Sequence, residues 1–312
     1  MGRKKKKNSL NAFKIFFTSV KVYFLYLDKF VKYLMFPVFG QILGLLAVLA
    51  VAYLFISNLT ALQEKIPFLF TEKNFLIVYC CCLAPFFVIF LKAFYEYLIV
   101  FSALNSVCYI ITPKKKVQDI NFSTHNEAIE RRLFHYIALL FFFSLLSIVL
   151  CIPVFWIFIP FFVLIFQIFA LEQNAGARYS IKRSVELVKG HYFQILIAII
   201  LVVLFTYIFI PYLFVWAFNY FKITPYLMIP ADNFLLTMQV DLSDLNDLLR
   251  SMMIPTIELS DISRAVVEST IFTVFLMFTL PLRCCVFTNL YAALDIDAIG
   301  RNVQGEDKED KE

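Results

Sequence analysis

The chain has few charged residues, few glycines and none of the short motifs by which common enzymes are recognised. Charged residues make up 16% of its 312 residues, whereas soluble domains carry about 25%, so a water-soluble fold is excluded for the main body. Only 7 glycines occur, with no phosphate-binding loop, no G-x-S-x-G and no HExxH. The sequence therefore argues against the ordinary classes of enzyme.

Cysteine and histidine do not form a metal-ligand pattern either. No pair of cysteines has CxxC spacing, and all of them fall in apolar segments, so we expect neither a disulfide framework nor a zinc site. They are interpreted as small packing residues. The histidines fall at the ends of predicted helices, where interfacial hydrogen bonding is the ordinary role. We expect no metal, no cofactor and no catalytic residue. The residues in question are Cys80, Cys81, Cys82, Cys108, Cys151, Cys284, Cys285, His125, His135 and His191.

What the sequence has in abundance is long apolar runs, and a membrane-spanning helix needs about 20 such residues. The run 75–111 is predicted to be one over-long helix whose span covers 75–104. The run 135–172 contains Pro153 and Pro160, which predict a tight hairpin between two short spans. We predict an all-α polytopic membrane protein with six transmembrane helices arranged as three hairpins. The predicted spans are 34–58, 75–104, 135–151, 155–172, 191–218 and 266–290.

The basic residues alternate with these runs. With six spans, the segments on one side hold 21 Lys and Arg and those on the other side hold 5. Because Lys and Arg are retained in the cytoplasm, both termini are predicted to be cytoplasmic. Residues 1–9 form a basic tail, 10–294 the membrane domain and 295–312 a disordered charged tail. The outer loop 219–265 carries an apolar stripe at 242–253, which predicts a short amphipathic helix.

Three basic amphipathic helices are predicted beside the spans. An apolar stripe from Leu10 to Leu34 indicates a helix lying in the headgroup layer, with packing against other protein as the alternative. A second helix, 123–135, opens with a capping box at Thr124 and Glu127. A third, 175–189, ends at Gly190. The candidate ligands for lipid headgroups are Lys14, Lys21, Lys32, Arg131, Arg132 and Lys182.

Four charges fall inside predicted spans: Lys92, Glu96, Glu268 and Arg283. Lys92 and Glu96 are one helical turn apart and can pair. Intramembrane charges cost about 3 kcal/mol each on insertion scales and are functional candidates by default. Two interpretations stay open, a structural ion network and a polar path for transport or headgroup binding.

The segment 181–190 carries Arg183, Ser184, Leu187 and Gly190 after a glutamate, Glu172. This pattern resembles the cytoplasmic motif of the membrane-domain family named after glycerophosphoryl diester phosphodiesterases, and of related uncharacterised six-helix bacterial membrane proteins. Ser180 departs from the usual alanine. Pro281 and Leu290–Tyr291 are similar to the end of that family's last span, and the similar layout extends over most of 12–294. The resemblance implies a six-helix membrane domain without the phosphodiesterase domain or its activity.

Together these features predict a non-enzymatic protein of the bacterial inner (plasma) membrane that binds or organises anionic phospholipids. An envelope or lipid-machinery protein is a candidate partner, and nucleic acid is not expected. The alternative is a transporter or lipid-translocating protein that uses Lys92, Glu96 and Arg283 as its polar path.

Overall fold

The computed structural model describes residues 11–57, 72–111, 121–150, 153–172, 175–237 and 255–309, together with residues 246, 250 and 252. Its regular structure in these ranges is entirely helical. Apolar runs fold as helices in a bilayer because only a helix pairs every backbone polar group within its own segment. The helices are α1 (Ala12–Leu25), α2 (Leu27–Ser57), α3 (Glu72–Ile110), α4 (Phe122–Glu130), α5 (Leu133–Leu150), α6 (Ile159–Phe162), α7 (Ile165–Leu171), α8 (Ala177–Val188), α9 (Tyr192–Val202), α10 (Ile210–Tyr220), α11 (Ile223–Thr237), α12 (Leu259–Phe278) and α13 (Leu280–Glu309).

Four helical stretches in the described part of the chain are long and apolar enough to cross a membrane: Leu27–Val48, Leu83–Ile110, Tyr192–Tyr220 and Leu259–Ile296. They confirm the all-helical class and the presence of membrane-length helices. The run 75–111, predicted as one helix, is the uninterrupted α3. The predicted count of six is not confirmed, because the two remaining apolar helices in the described part of the chain, Leu133–Leu146 and Trp156–Leu171, are shorter.

The contacts divide the chain into two compact units. The first comprises Met1–Tyr33, Leu98–Tyr207 and Thr279–Glu312, and the second comprises Leu34–Tyr97 and Ile208–Phe278.

The hairpin predicted around the two prolines is present in the first unit. Its rising limb is α5, and its descending limb is a 3-10 turn (Pro153–Phe158) followed by α6 and α7. Phe143 lies 5.1 Å from Phe166 and Tyr136 lies 5.6 Å from Phe169 between ring centroids, as expected for antiparallel limbs. Pro160 lies in the first turn of α6, where a missing N–H costs nothing.

Helix α7 forms the centre of the first unit because its side chains are buried in two directions. Ile168 packs into a core with Leu187 of α8 and Leu290 of α13. Ile165 and Phe169 pack into another core with residues of α3, α4 and α5. A short helix covered on both sides is held by its surroundings rather than by its own propensity.

Polar side chains inside the first unit pair with one another across its helices. The Gln167 amide donates to the Asn105 carbonyl oxygen at 3.1 Å, and both side chains are buried. Asn289 donates to the Ser19 hydroxyl at 2.8 Å. Unpaired polar groups in an apolar interior are costly, so these bonds fix the register of α1, α3, α7 and α13.

The second unit is built around α12. Its buried face packs on α10 and α11, with Phe214 stacked on Phe275 at 3.6 Å between ring centroids. Helix α11 was not predicted, since the amphipathic helix of this loop was expected at 242–253. Most of that stretch lies outside the described residues. Helix α11 contains Pro230, a residue type that is disfavoured inside helices.

Three helix boundaries differ from the predicted ones. The stripe from Leu10 to Leu34 is divided at Tyr26, so its second half belongs to the membrane-length α2. Helix α4 is capped by Asn121, which accepts from the Ser123 N–H at 3.2 Å, and not by Thr124. Helix α13 continues to Glu309, whereas the charge content of the tail predicts disorder. Extending a helix that has already formed costs little free energy.

Candidate functional site

A cleft of about 420 Å³ in the first unit is lined by basic side chains. The last turns of α3 contribute Ser106 and Tyr109, the α4 segment contributes His125, Arg131 and Arg132, and the end of α7 forms the remaining wall. The cleft therefore lies where the membrane-length stretch Leu83–Ile110 ends, with apolar residues on one side and arginines on the other.

Arg132 is anchored at the edge of this cleft. Its guanidinium donates to the Glu172 main-chain carbonyl at 3.0 Å and lies 4.6 Å from the centre of the Phe169 ring. Glu172 directly follows α7, where unpaired carbonyls and the helix dipole attract a cation. Partial burial lowers the pKa of Arg132 from its ordinary value, and arginine stays charged at physiological pH.

Arg131 and His125 complete the basic wall in different ways. Arg131 is exposed, so its guanidinium is available to a ligand. His125 is half-buried, and burial lowers its pKa below the ordinary 6.5 because the charged imidazolium is poorly solvated there. At neutral pH the cleft therefore carries two positive charges and one uncharged imidazole.

Next to the cleft, three helices are joined by an ion-pair cluster. Arg183 of α8 donates to the Asp295 carboxylate of α13 at 2.7 Å and lies 3.9 Å from the Glu172 carboxylate. The Tyr291 hydroxyl donates to the same Glu172 carboxylate at 2.9 Å. Arg183 and Glu172 are each about a quarter exposed, so solvent screens them only in part.

The other residues of the predicted family-like motif have packing roles. The Ser184 hydroxyl donates to the Phe161 carbonyl at 2.7 Å. Leu187 is fully buried in the core between α7 and α13. Gly190 has φ of 87°, a left-handed conformation that glycine adopts without strain. The five motif residues thus lie together around α8, and the structure joins Glu172 to Arg183 directly.

Asp295 was missed by the sequence analysis although it completes this cluster. It lies four residues after Tyr291, on the same face of α13, and that spacing was the available signal. Asn105 and Gln167 were also missed as a pair, because their contact joins positions 62 residues apart.

The predicted lipid-headgroup residues are exposed, except for the anchored Arg132. On α1, Lys14 and Lys21 accompany Phe13, Phe17 and Phe24, which are 53%, 61% and 62% exposed. The opposite face of α1, which includes the fully buried Phe16, packs against protein. Packing against protein, the alternative considered for this helix, therefore holds for one face of α1, and a position in the headgroup layer stays a prediction for the exposed face.

The charges predicted inside spans have separate partners in the described part of the chain. Lys92 and Glu96 pair at 3.9 Å along α3, with the Lys92 side chain 72% exposed. The Glu268 carboxylate accepts from the Asn219 amide at 2.9 Å. Arg283 donates to the Tyr207 hydroxyl and lies 4.7 Å from the centre of its ring. Lys92 and Glu96 thus pair within one helix, whereas Glu268 and Arg283 each contact a residue of another helical segment.

Among the described residues, no group of three or more His, Cys, Asp and Glu side chains is placed to hold a metal ion. Cys108, Cys284 and Cys285 are buried and reduced, while Cys80 and Cys81 are exposed. The Cys285 and Cys108 sulfurs lie 3.2 Å apart, which fits close packing between α3 and α13.

The fold and the site define an all-helical protein with membrane-length helices and a basic cleft at the end of one of them. Comparison with protein-family models, with curated proteins and with solved structures gives no match for this chain.

Proposed function

We propose that the chain is a non-enzymatic integral membrane protein that binds anionic phospholipid headgroups in the cleft lined by Arg131 and Arg132. The observation that carries the proposal is the position of this cleft at the end of an apolar, membrane-length helix. Phosphate groups of a bilayer lie at that depth, and arginine binds phosphate oxygens through two parallel hydrogen bonds.

The walls of the cleft suit a phospholipid better than a free anion. Arg132 is held in place by Glu172 and Phe169, which reduces the entropy lost when a phosphate binds. Arg131 can close on the phosphate from the exposed side. Ile110 and Leu171 supply apolar wall next to the basic groups, as the glycerol and first acyl carbons of a lipid require.

The exposed face of α1 supports the same assignment. Phe13, Phe17 and Phe24 form an apolar strip that protein does not cover, with Lys14 and Lys21 beside it. Aromatic residues bordered by lysines are typical of helices that lie at a membrane surface. Each basic residue near an anionic surface contributes about 1 kcal/mol of attraction.

The two limbs of the hairpin are proposed to be the third and fourth of six spans. Helix α5 has 18 residues, which is about 27 Å of helix and close to the lower limit for a span. The descending limb from Pro153 to Leu171 begins as a 3-10 turn, which rises about 2.0 Å per residue. That geometry gives a limb of similar length despite its interruptions.

Whether the hairpin crosses the membrane or only enters it, its two ends lie on the same side. The predicted orientation of the polar segments is therefore the same in both cases. The proposal places both termini in the cytoplasm of a bacterial cell, with the protein in the inner membrane, because basic residues concentrate on that side. An envelope or lipid-machinery protein is the proposed partner class.

Relationship to the membrane-domain family named after glycerophosphoryl diester phosphodiesterases is also a proposal. The contact between Glu172 and Arg183 supports it, since the motif places these residue types in two different elements of the chain. Tyr291, from the segment similar to that family's last span, hydrogen-bonds to Glu172.

A transporter or lipid-translocating protein is the second candidate, and one observation favours it. Arg283 lies in a membrane-length helix and contacts Tyr207, which lies in a π-helical stretch, Val203–Phe209. Such stretches occur often at functional sites. The exposure of Lys92 and its purely local pairing with Glu96 weigh against a path that includes all three residues.

The test is lipid retention measured by native mass spectrometry. Arg131→Gln removes the exposed cation of the cleft without breaking a described contact, and phosphatidylglycerol is expected to bind roughly fivefold more weakly. Lys222→Gln removes an equal charge from an exposed turn of the second unit and is the matched control. Equal loss in both variants, or no loss in Arg131→Gln, would contradict the cleft as the binding site.

A further inference from the structure

A second polar pocket lies in the second unit, at the end of another membrane-length stretch. It has a volume of about 300 Å³ and is lined by Asn219, Thr224, Pro225, Met228, Arg264 and Glu268. Asn219 is the penultimate residue of the apolar stretch Tyr192–Tyr220. The chain then turns at Lys222, whose φ is 56°, and α11 begins with Thr224 in its first turn.

The pocket contains a cation and an anion that are not paired with each other. Arg264 and Glu268 are four residues apart on α12, which puts their Cβ atoms about 5–6 Å apart. The Glu268 carboxylate is instead bonded to the Asn219 amide at 2.9 Å. None of the ion pairs in the described part of the chain includes Arg264, and its side chain is exposed at the pocket.

A second observation, a buried polar group at Thr224, points to a ligand in this pocket. Its side chain is only 2% exposed, and its hydroxyl oxygen has no hydrogen-bond partner among the described residues. An unsatisfied buried hydroxyl costs about 1–3 kcal/mol, so native structures rarely keep one without a reason. Thr224 is one of the residues that line the pocket, together with the carboxylate-bearing Glu268 and the guanidinium-bearing Arg264.

We propose that this pocket binds a zwitterionic phosphoethanolamine group. The ammonium of the ligand donates to the Glu268 carboxylate, whose other contact with Asn219 fixes its position. The phosphate accepts from Arg264, and the Thr224 hydroxyl completes its hydrogen bonding on the ligand. The one-turn separation of the two charges matches a ligand that carries its cation and anion two carbons apart, and the apolar wall of Met228 and Pro225 lies beside them.

Hydrogen bonding to Glu268 distinguishes phosphoethanolamine from phosphocholine. A primary ammonium donates hydrogen bonds to a carboxylate, whereas the quaternary ammonium of phosphocholine has no N–H to donate. The same phosphoethanolamine group can arrive on phosphatidylethanolamine or as a free small molecule. The position of the pocket at the end of an apolar stretch favours the lipid. The experiment tests both phosphatidylethanolamine and the free small molecule.

The experiment uses the full chain in nanodiscs of phosphatidylcholine, with and without phosphatidylethanolamine, and in detergent with added O-phosphoethanolamine. Retained lipid is counted by native mass spectrometry, and the soluble ligand is detected by the rise in unfolding temperature that accompanies binding to the native state. Retention of phosphatidylethanolamine over phosphatidylcholine supports a lipid source, and a response to O-phosphoethanolamine alone supports a soluble one. Binding of neither overturns the proposal.

Variants then locate the binding. Glu268→Gln and Arg264→Gln are each expected to weaken binding roughly tenfold, the effect of losing one charge-assisted hydrogen bond. Glu258→Gln removes an equal charge from an exposed position before α12 and should leave binding unchanged. If Glu268→Gln fails to fold, Thr224→Val and Thr224→Ser supply the comparison, because serine keeps the hydroxyl and should retain binding. Unchanged binding in Glu268→Gln and Thr224→Val would also overturn the proposal.

Phosphatidylglycerol retention serves as an internal reference, since it reports the cleft at Arg131. Loss of phosphatidylethanolamine with unchanged phosphatidylglycerol assigns the two headgroup classes to two separate sites. Parallel loss of both in Glu268→Gln would contradict a separate site in the second unit.

Discussion

Arg183 and Lys182 are adjacent on α8, yet their ion pairs differ in kind. Lys182 pairs with Glu186 along the same helix at 4.0 Å, and its side chain is 79% exposed. Arg183 pairs with Glu172 and Asp295 from two other elements and is 24% exposed. Exposed pairs along a helix contribute about 0.3–0.5 kcal/mol, whereas hydrogen bonds to charged groups contribute about 1.5–3 kcal/mol.

Arg183→Gln is therefore expected to lower the free energy of unfolding by about 2 kcal/mol, and Lys182→Gln by less than about 0.5 kcal/mol. Denaturation in mixed detergent micelles measures both. The double variant Arg183→Gln with Asp295→Asn should lose less than the sum of the two single changes, because they remove one shared interaction. Equal effects at positions 182 and 183 would show that the cluster makes no special contribution.

His125 gives the cleft a dependence on pH. Burial lowers its folded-state pKa below the ordinary 6.5, so the unfolded chain holds the proton more tightly. Stability from this residue is full above the unfolded-state pKa and is lost as pH falls through the lowered folded-state pKa. Protonation in the folded state adds a positive charge beside Arg131 and Arg132.

Phosphatidylglycerol is expected to bind more tightly at pH 5 than at pH 7.5, by up to roughly fivefold for one added charge at the surface. His125→Gln should remove most of this change and leave affinity at pH 7.5 nearly unaltered. Titration by native mass spectrometry at the two values of pH measures it, with phosphatidylcholine as the pH-insensitive lipid. A response that persists in His125→Gln would assign it to other groups.

At the scale of the elements, α1 has one face covered by protein and one exposed apolar face. Its face with Ala12, Phe16 and Val22 packs on protein, and Phe16 lies 5.0 Å from Phe205 between ring centroids. The neighbouring Phe17 is 61% exposed. Two adjacent residues of the same type thus face different surroundings.

Phe16→Ala is expected to lower the free energy of unfolding by about 3–5 kcal/mol, because it opens a cavity in a closed core. Phe17→Ala should change it by less than about 0.5 kcal/mol in detergent and instead weaken association of α1 with anionic bilayers. Unfolding in mixed micelles measures the first effect, and the membrane depth of a spin label on α1 measures the second. A large loss of stability in Phe17→Ala would contradict an exposed, lipid-facing position.

The ends of helices depend on capping residues, and several of these can be recognised in the sequence. Gly190 ends α8 in the left-handed conformation, as its position after Val188 and Lys189 predicts. The cap of α4 was misplaced at Thr124 because Asn121, Ser123 and Thr124 are all good capping residues. The structure selects Asn121, whose side-chain oxygen accepts from the Ser123 N–H.

For the whole molecule, the proposed topology can be tested by asking from which side of the membrane a few exposed positions are accessible. Glu130, Glu186 and Lys222 are exposed, and Trp156, near the tip of the hairpin, is 59% exposed. Single cysteines at these positions, in a cysteine-free background that keeps the parent's unfolding temperature, can be labelled with an impermeant maleimide in sealed vesicles of both orientations.

Glu130→Cys and Glu186→Cys are expected to react from the cytoplasmic side and Lys222→Cys from the other. With six spans, Trp156→Cys reacts from the same side as Lys222→Cys, because the hairpin carries it across the membrane. Protection of Trp156→Cys from both sides would instead indicate a hairpin that enters and does not cross. Reaction of Glu186→Cys and Lys222→Cys from one side would contradict the orientation as a whole.

The sequence by itself determined the all-helical class and the location of the four membrane-length helices, since apolar runs in lipid have only the helix available. It also identified Glu172 and Arg183 as residues of one motif, but only through a resemblance, and it did not predict that they pair. The single helix across 75–111 and the hairpin after Leu150 likewise followed from length, charge and proline.

Tertiary structure alone decided which polar side chains from different elements meet. The partners Asn105 with Gln167, Arg183 with Asp295 and Asn219 with Glu268 are 62, 112 and 49 residues apart, and periodicity along one helix carries no information about such distances. It also decided which apolar face of α1 is covered by protein, because Phe16 and Phe17 have equal hydrophobicity and differ only in what packs against them.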